Sequence, residues 1–96
     1  MRSPIAELAP TARVFKALAH PARLALLRRL MDRECCVSEV ERCLGISQPN
    51  VSQHLKILKD AGLIAGRREK TRVCYRIADK RIERILEILW EGNKNP

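Results

Sequence analysis

The chain has 96 residues, a formal net charge of +8 and 46% apolar residues. This length points to one domain with a modest core, and the apolar share is enough to fold it, so disorder is expected only at the ends. No apolar run approaches the ~20 residues of a membrane span. Phe15, Tyr75 and Trp90 are the whole aromatic content, too little for a platform that stacks single-stranded bases.

The positive charge suits a polyanionic partner, because lysines and arginines that neutralise phosphates release counterions. The amino terminus has no signal-peptide core, which predicts a cytoplasmic protein. Its four cysteines should then be reduced, which argues against structural disulfides and for metal, redox or packing roles. An enzyme is disfavoured: there is no acid–base pair with a histidine, no phosphate-cradling glycine loop and no nucleophile motif.

In chain order, Ser3 and Pro4 are a plausible helix start, but Pro10 interrupts soon after. The first helix is therefore placed from Pro10 to about Ala19. His20-Pro21 marks a boundary, with Pro21 in the first turn of a second helix. That helix carries Leu24, Leu27, Leu30 and Met31 on one stripe and ends near Asp32 to Glu34. Val37, Val40 and Leu44 define a short third helix closed by Gly45. Ser47 is a good N-cap for a fourth helix, running to about Ala61, with Pro49 tolerated in its first turn. Its inward stripe is Val51, Leu55 and Leu58. Pro49, Ser52, Gln53 and Lys56 occupy the opposite face, with Asn50 and His54 on the flanks. Glutamine and asparagine can pair with adenine edges, and lysine can reach guanine or phosphate.

Leu63-Ile64-Ala65 and Val73 to Ile77 are short strands, joined by the charged turn Gly66 to Arg72. Alternation places Val73, Tyr75 and Ile77 on one side and Cys74 and Arg76 on the other. The last helix runs from about Asp79 to Glu91, with an apolar stripe of Ile82, Ile85, Leu86, Leu89 and Trp90. Such a stripe either closes the core or pairs with a second copy, and a small core favours the latter. The tail from Gly92 to Pro96 is expected to fray. The order α-α-α-α-β-β-α is mainly helical with a small β-hairpin wing. It reads as one winged helix-turn-helix domain over residues 1–96, with the helix-turn-helix at about 37–61 and the wing at about 63–77. A polar outer helix face and a basic hairpin speak for duplex DNA over a protein-docking role, and an RNA ligand would be separated by competition.

The residues Ala17-Leu18-Ala19-His20-Pro21-Ala22-Arg23-Leu24, Val37-Ser38-Glu39-Val40, Ser47-Gln48-Pro49-Asn50-Val51-Ser52-Gln53-His54-Leu55, Ala61-Gly62-Leu63-Ile64 and Tyr75-Arg76-Ile77 carry a likeness spanning nearly the whole chain. On them it resembles the ArsR/SmtB family of bacterial metal-responsive repressors. The resemblance implies a homodimer joined through the first and last helices, binding to an inverted repeat in double-stranded DNA, and release when a ligand is sensed. Phe15, Ile82, Ile85, Leu86, Leu89 and Trp90 are then the interface candidates. The recognition helix of the family maps onto Ser47 to Lys56. Ser47, Gln48, Asn50, Ser52, Gln53 and His54 become candidates for base or phosphate contact. Lys56, Lys59, Arg67, Arg68, Lys70 and Arg72 become backbone anchors.

In arsenic- and cadmium-responsive members the third helix begins with a Cys-Val-Cys core. Here that stretch reads Cys35-Cys36-Val37-Ser38: Cys36 keeps the first position, Ser38 replaces the second and Cys35 stands where a leucine is usual. Cys35 and Cys36 could bite one soft ion together, and the positive end of a helix favours thiolate there. Cys43 lies ~10.5 Å further along a continuous helix, too far for one ion with sulfur bonds of about 2.3 Å. It is read as packing beneath the fourth helix, with a ligand role only from another protomer or an unwound end. Cys74 is read as packing in the wing. The last helix has no histidine, which argues against the family's zinc site. Arsenite or antimonite is the leading inducer and cadmium or lead comes next. A redox or persulfide switch is third, because members of the family that use one place two cysteines on separate helices, one near the carboxyl terminus, where this chain has none. A fourth reading is that no ligand binds. No obligatory cofactor is expected.

Overall fold

The computed structural model describes residues 3–91; the expected fraying of residues 92–96 lies outside them. Five helices and three strands follow in the order α1 (Pro4–Leu18), α2 (Pro21–Asp32), β1 (Cys35–Cys36), α3 (Val37–Leu44), α4 (Gln48–Asp60), β2 (Ile64–Glu69), β3 (Arg72–Ile77) and α5 (Lys80–Glu91).

α1 starts six residues earlier than the expected Pro10. Ser3 caps it, its hydroxyl accepting the Ile5 N–H at 3.2 Å, and Pro4 takes the first helical position. Pro10 therefore sits inside the helix. It deprives the Ala6 carbonyl of its partner, but residues 4–13 are exposed, so water replaces that bond. The α2 boundary falls where expected, with the His20 ring accepting the Ala22 N–H through Nδ1 at 3.0 Å.

The core gathers Leu26, Leu27 and Leu30 of α2, Val40 of α3, Val51, Leu55 and Leu58 of α4, then Leu63, Ile64, Ile77, Ile82 and Leu86. No polar or charged residue among the described ones is buried. The stripe of α5 thus divides. Ile82 and Leu86 are 3% and 2% exposed and close the protomer's own core, a correction to their placement at the dimer interface. Ile85 and Trp90 pack at its margin, and Arg28 lies over the Trp90 ring at 5.5 Å. Leu89 and Phe15 stay outside at 62% and 55% exposed, together with Ile5, Leu8 and Ile88.

The three strands form an antiparallel sheet in the order β1-β3-β2. β1 is an element that alternation alone did not suggest. It is two residues long and pairs Cys35 with Tyr75 and Cys36 with Cys74. The hairpin is also longer than expected. Gly66, Arg67, Arg68 and Glu69 belong to the β2 ladder, which closes at Glu69 opposite Arg72. The turn shrinks to Lys70 and Thr71, with Lys70 at φ 59°. Gly66 lies opposite Tyr75 in the register, and a Cβ there would sit 2.8 Å from the ring's Cε1, so the aromatic ring requires glycine beneath it.

Candidate nucleic-acid interface and thiol pair

Gly45 adopts the left-handed conformation, φ 67° and ψ 30°, and turns the chain from α3 into α4. Val51, Leu55 and Leu58 then bury one side of α4, and helical spacing turns the other side outward. Gln48, Asn50, Ser52, Gln53, Lys56 and Lys59 are all exposed. Ser47 is the N-cap residue, yet its side chain makes no capping bond. Its exposed hydroxyl remains available for a ligand. Lys56 pairs with Asp60 at 2.9 Å, both in solvent, a contact of little net worth.

His54 differs from its expected role as a groove contact. The ring is half-buried and tilts against His20 with centroids 4.6 Å apart. Its Nδ1 lies 3.3 Å from Arg23 Nη1. With Nδ1 accepting, the ring proton sits on Nε2. Burial, then the charges of His20 and Arg23, hold the His54 pKa below its ordinary value. Arg23 also donates from Nε to the Ala17 carbonyl at 2.6 Å. It thereby ties the end of α1 to the middle of α4, a positioning role that sequence spacing did not reveal.

The wing carries its charges unequally. Arg67 donates to both oxygens of Glu34, at 3.1 and 2.7 Å, and to Glu69 at 3.1 Å. These bonds raise the Arg67 pKa and lower that of Glu34. Arg72 reaches Glu69 at 3.4 Å. Arg68, Lys70 and Arg76 form no ion pair among the described residues, and Arg68 and Lys70 are the two nearest the tip of the hairpin. A cleft of about 310 Å³ lies between the outer end of the wing and the helix-turn-helix, lined by Cys36, Ser38, Glu41 and Gln48 on one side and by Thr71 and Arg72 on the other. The start of the recognition helix and the wing therefore face one another across a short gap.

The thiols are arranged differently from the expected pair. Cys36 is the N-cap residue of α3 and is joined to Cys74 by a disulfide. Cys35, the preceding strand residue, points to the other face. It is 1% exposed, belongs to the core cluster, and directs its Sγ to the Arg33 carbonyl at 3.5 Å. Cys35 and Cys36 thus do not present two sulfurs to one ion, and an arsenical chelated by that pair does not fit this arrangement. Among the described residues, no group of three or more His, Cys, Asp or Glu is placed to hold a metal ion. Cys43 is exposed rather than packed beneath α4, because Val40 and Leu44 take the inward positions of the short α3. It borders a shallow cleft with Arg28, Arg29 and Asp32. Cys74, read as packing, is buried because it faces Cys36 across β1 and β3. A cross-strand partner 38 residues away is invisible to local spacing.

An outward polar helix after a tight turn, flanked by a cationic hairpin, defines a winged helix-turn-helix DNA-binding domain. The chain belongs to the arsR family of bacterial regulatory proteins, whose model matches residues 20–65. The family is one of transcriptional regulators, not enzymes. The chain is 43% identical over 77 residues to a biofilm growth-associated repressor of Agrobacterium fabrum, covering 80% of this chain and 66% of that one. It is 44% identical over 73 residues to the HTH-type transcriptional repressor SmtB of Mycobacterium tuberculosis, covering 76% and 54%. The chain thus spans roughly half to two-thirds of these curated relatives. Its fold matches the homodimeric winged helix-turn-helix DNA-binding domain Mb0332 of Mycobacterium bovis, described as a possible ArsR-family regulator. That match has a TM-score of 0.86 at 35% identity, covering 97% of this chain and 88% of that one.

Proposed function

We propose that the protein is a homodimeric repressor that binds an inverted repeat in duplex DNA and is released by thiol chemistry at the front of α3. The outward row Gln48, Asn50, Ser52, Gln53 and Lys56 carries this reading: it is exposed, rich in groups that match base edges, and begins at Gln48, which shares a cleft with Thr71 and Arg72 of the wing. Gln53 and Asn50 read adenine edges, while the lysines and arginines hold phosphates. Phe15, Leu89 and their apolar neighbours on α1 and α5 form the dimer face. Two such protomers present their recognition helices about 34 Å apart, the spacing of successive major grooves. A repressor works where the DNA is, in the cytoplasm.

Among the inducers raised by the sequence, the link between Cys36 and Cys74 favours a thiol-modifying signal. Arsenite or antimonite, and then cadmium or lead, are the alternatives, and each requires Cys36 in its reduced form. Fluorescence anisotropy of the reduced protein on duplex DNA from its own promoter tests the reading. Tight binding that weakens steeply with salt and resists competitor RNA supports it. Salt-independent binding, or none, refutes it. Arsenite and cadmium added to the same complex test the ion-sensing alternatives, with Cys35→Ser and Cys36→Ser as controls.

A further inference from the structure

We propose that Cys36 and Cys74 are a reversible dithiol–disulfide couple, oxidised by a hydroperoxide that enters through the cleft above Cys36, and that closing the couple releases the operator. The inference rests on the repressor reading and names the regulation of that site.

The position of the pair is the first support. β1 ends at Cys36, whose strand partner is Cys74. Beyond that rung, Val73 and Arg72 pair only with β2. The disulfide therefore stands at the root of the wing, where a three-stranded sheet becomes a free two-stranded ribbon. Cys36 also caps α3, the first helix of the helix-turn-helix. One covalent bond thus joins the two DNA-facing parts of the domain.

Access and chemistry are the second support. Cys36 and Cys74 are 5% and 4% exposed, which shields them from bulky reagents. Cys36 is nevertheless among the residues lining a cleft of about 310 Å³, ample for a peroxide. The positive end of α3 lies at Cys36, and Arg72 and Glu41 line the same cleft with opposite charges. Glu39 spends its Oε1 on the Cys36 N–H at 3.0 Å rather than on the sulfur. In a reducing compartment a disulfide is transient and signalling rather than a permanent staple.

The steps balance. The Cys36 thiolate attacks one peroxide oxygen, the O–O bond breaks, and a sulfenic acid forms while the second oxygen takes up a proton and leaves as water or alcohol. The Cys74 thiol then attacks the Cys36 sulfur. The S–S bond forms, and the hydroxyl departs with the Cys74 proton as water. Two electrons have passed from the sulfurs to the peroxide. A dithiol reductant reverses the link by exchange. The reduced pair lets the wing adjust to the backbone it grips. The oxidised pair fixes the angle of the wing against α3.

The test uses the full wild-type chain, reduced, then treated with hydrogen peroxide. The protein is then denatured in acid, free thiols are alkylated and peptides mapped, while anisotropy of the native protein on its promoter duplex is read in parallel. The expected result is a cross-link of Cys36 to Cys74, with Cys35 and Cys43 still alkylated. Operator Kd should rise about 5-fold or more and return with dithiothreitol, and Cys74→Ala should abolish both effects. Cysteines 36 and 74 that stay alkylatable, or that link elsewhere, overturn the proposal. So does a correct cross-link with unchanged or tighter binding. A reduced protein that never binds the duplex sinks the repressor reading and the release step with it, while the peptide map still decides the couple.

Discussion

Leu89→Ala should dissociate the dimer without unfolding the protomer. Leu89 is 62% exposed, on the same helix as Ile82 and Leu86, which are 3% and 2% exposed. Fully burying a leucine is worth roughly 1.5–3 kcal/mol. The exposed share of that is ~1–2 kcal/mol, which only a partner can recover. A twofold dimer carries the change twice, so the loss is ~2–4 kcal/mol, or about 25- to 700-fold in the dimer Kd. The methyl that alanine retains places the expectation in the lower half of that range. Sedimentation equilibrium over a dilution series measures it, with circular dichroism to confirm the fold. Ile82→Ala is the contrast: it opens a cavity in the protomer and should cost ~2–5 kcal/mol of folding stability. A dimer constant unmoved by Leu89→Ala, in a folded protein, would refute the assignment of this face.

Gln53→Ala should cost ~1–3 kcal/mol of operator affinity and relax the preference at one base pair, read by anisotropy across single-base operator variants. Lys70→Ala should weaken all sequences alike and lower the salt slope by about one counterion. The His54 pKa is depressed in the folded state, so the unfolded chain binds the proton more readily. The stability associated with neutral His54 is present above its ordinary 6.5 and is lost as pH falls through the depressed value. Thermal melts of His54→Gln between pH 5 and 7.5 should fall less with acid than those of the wild type. Gly66→Ala drives a methyl to 2.8 Å from the Tyr75 ring and should destabilise by ~1–3 kcal/mol. In a Tyr75→Val background the same change should cost markedly less in urea unfolding, a coupling that a double-mutant cycle isolates.

The helices were legible because their signals are local. Pro21 and Gly45 mark boundaries by backbone preference and Ser47 by the capping habit of its side chain, and the Val51, Leu55, Leu58 stripe repeats every turn. Pro10 misled because a helix-breaking residue is judged from the backbone, whereas an exposed helix satisfies the freed carbonyl with water. β1 was illegible because two residues hold no periodicity; only their pairing with β3 makes them a strand. The outward face of α4 could be read from spacing, but His54 could not. It sits on the flank, and Arg23 and His20 from another helix draw it inward. The Glu34–Arg67 pair, 33 residues apart, and the Cys36–Cys74 link depend on tertiary proximity that sequence distance conceals.

The engagement of Arg67 bears on how the protein finds its target. A phosphate that approaches Arg67 must displace Glu34 or Glu69, and displacement leaves those carboxylates beside a polyanion. The contact is an exchange of anions, with little gain on an arbitrary duplex. If Gln53 and Asn50 read bases as proposed, residence on random sequence is shortened accordingly, while a site that engages them holds the protein by other means. On the proposed reading, a partly self-neutralised wing would speed the genomic search, because the many wrong sites would compete less for each dimer.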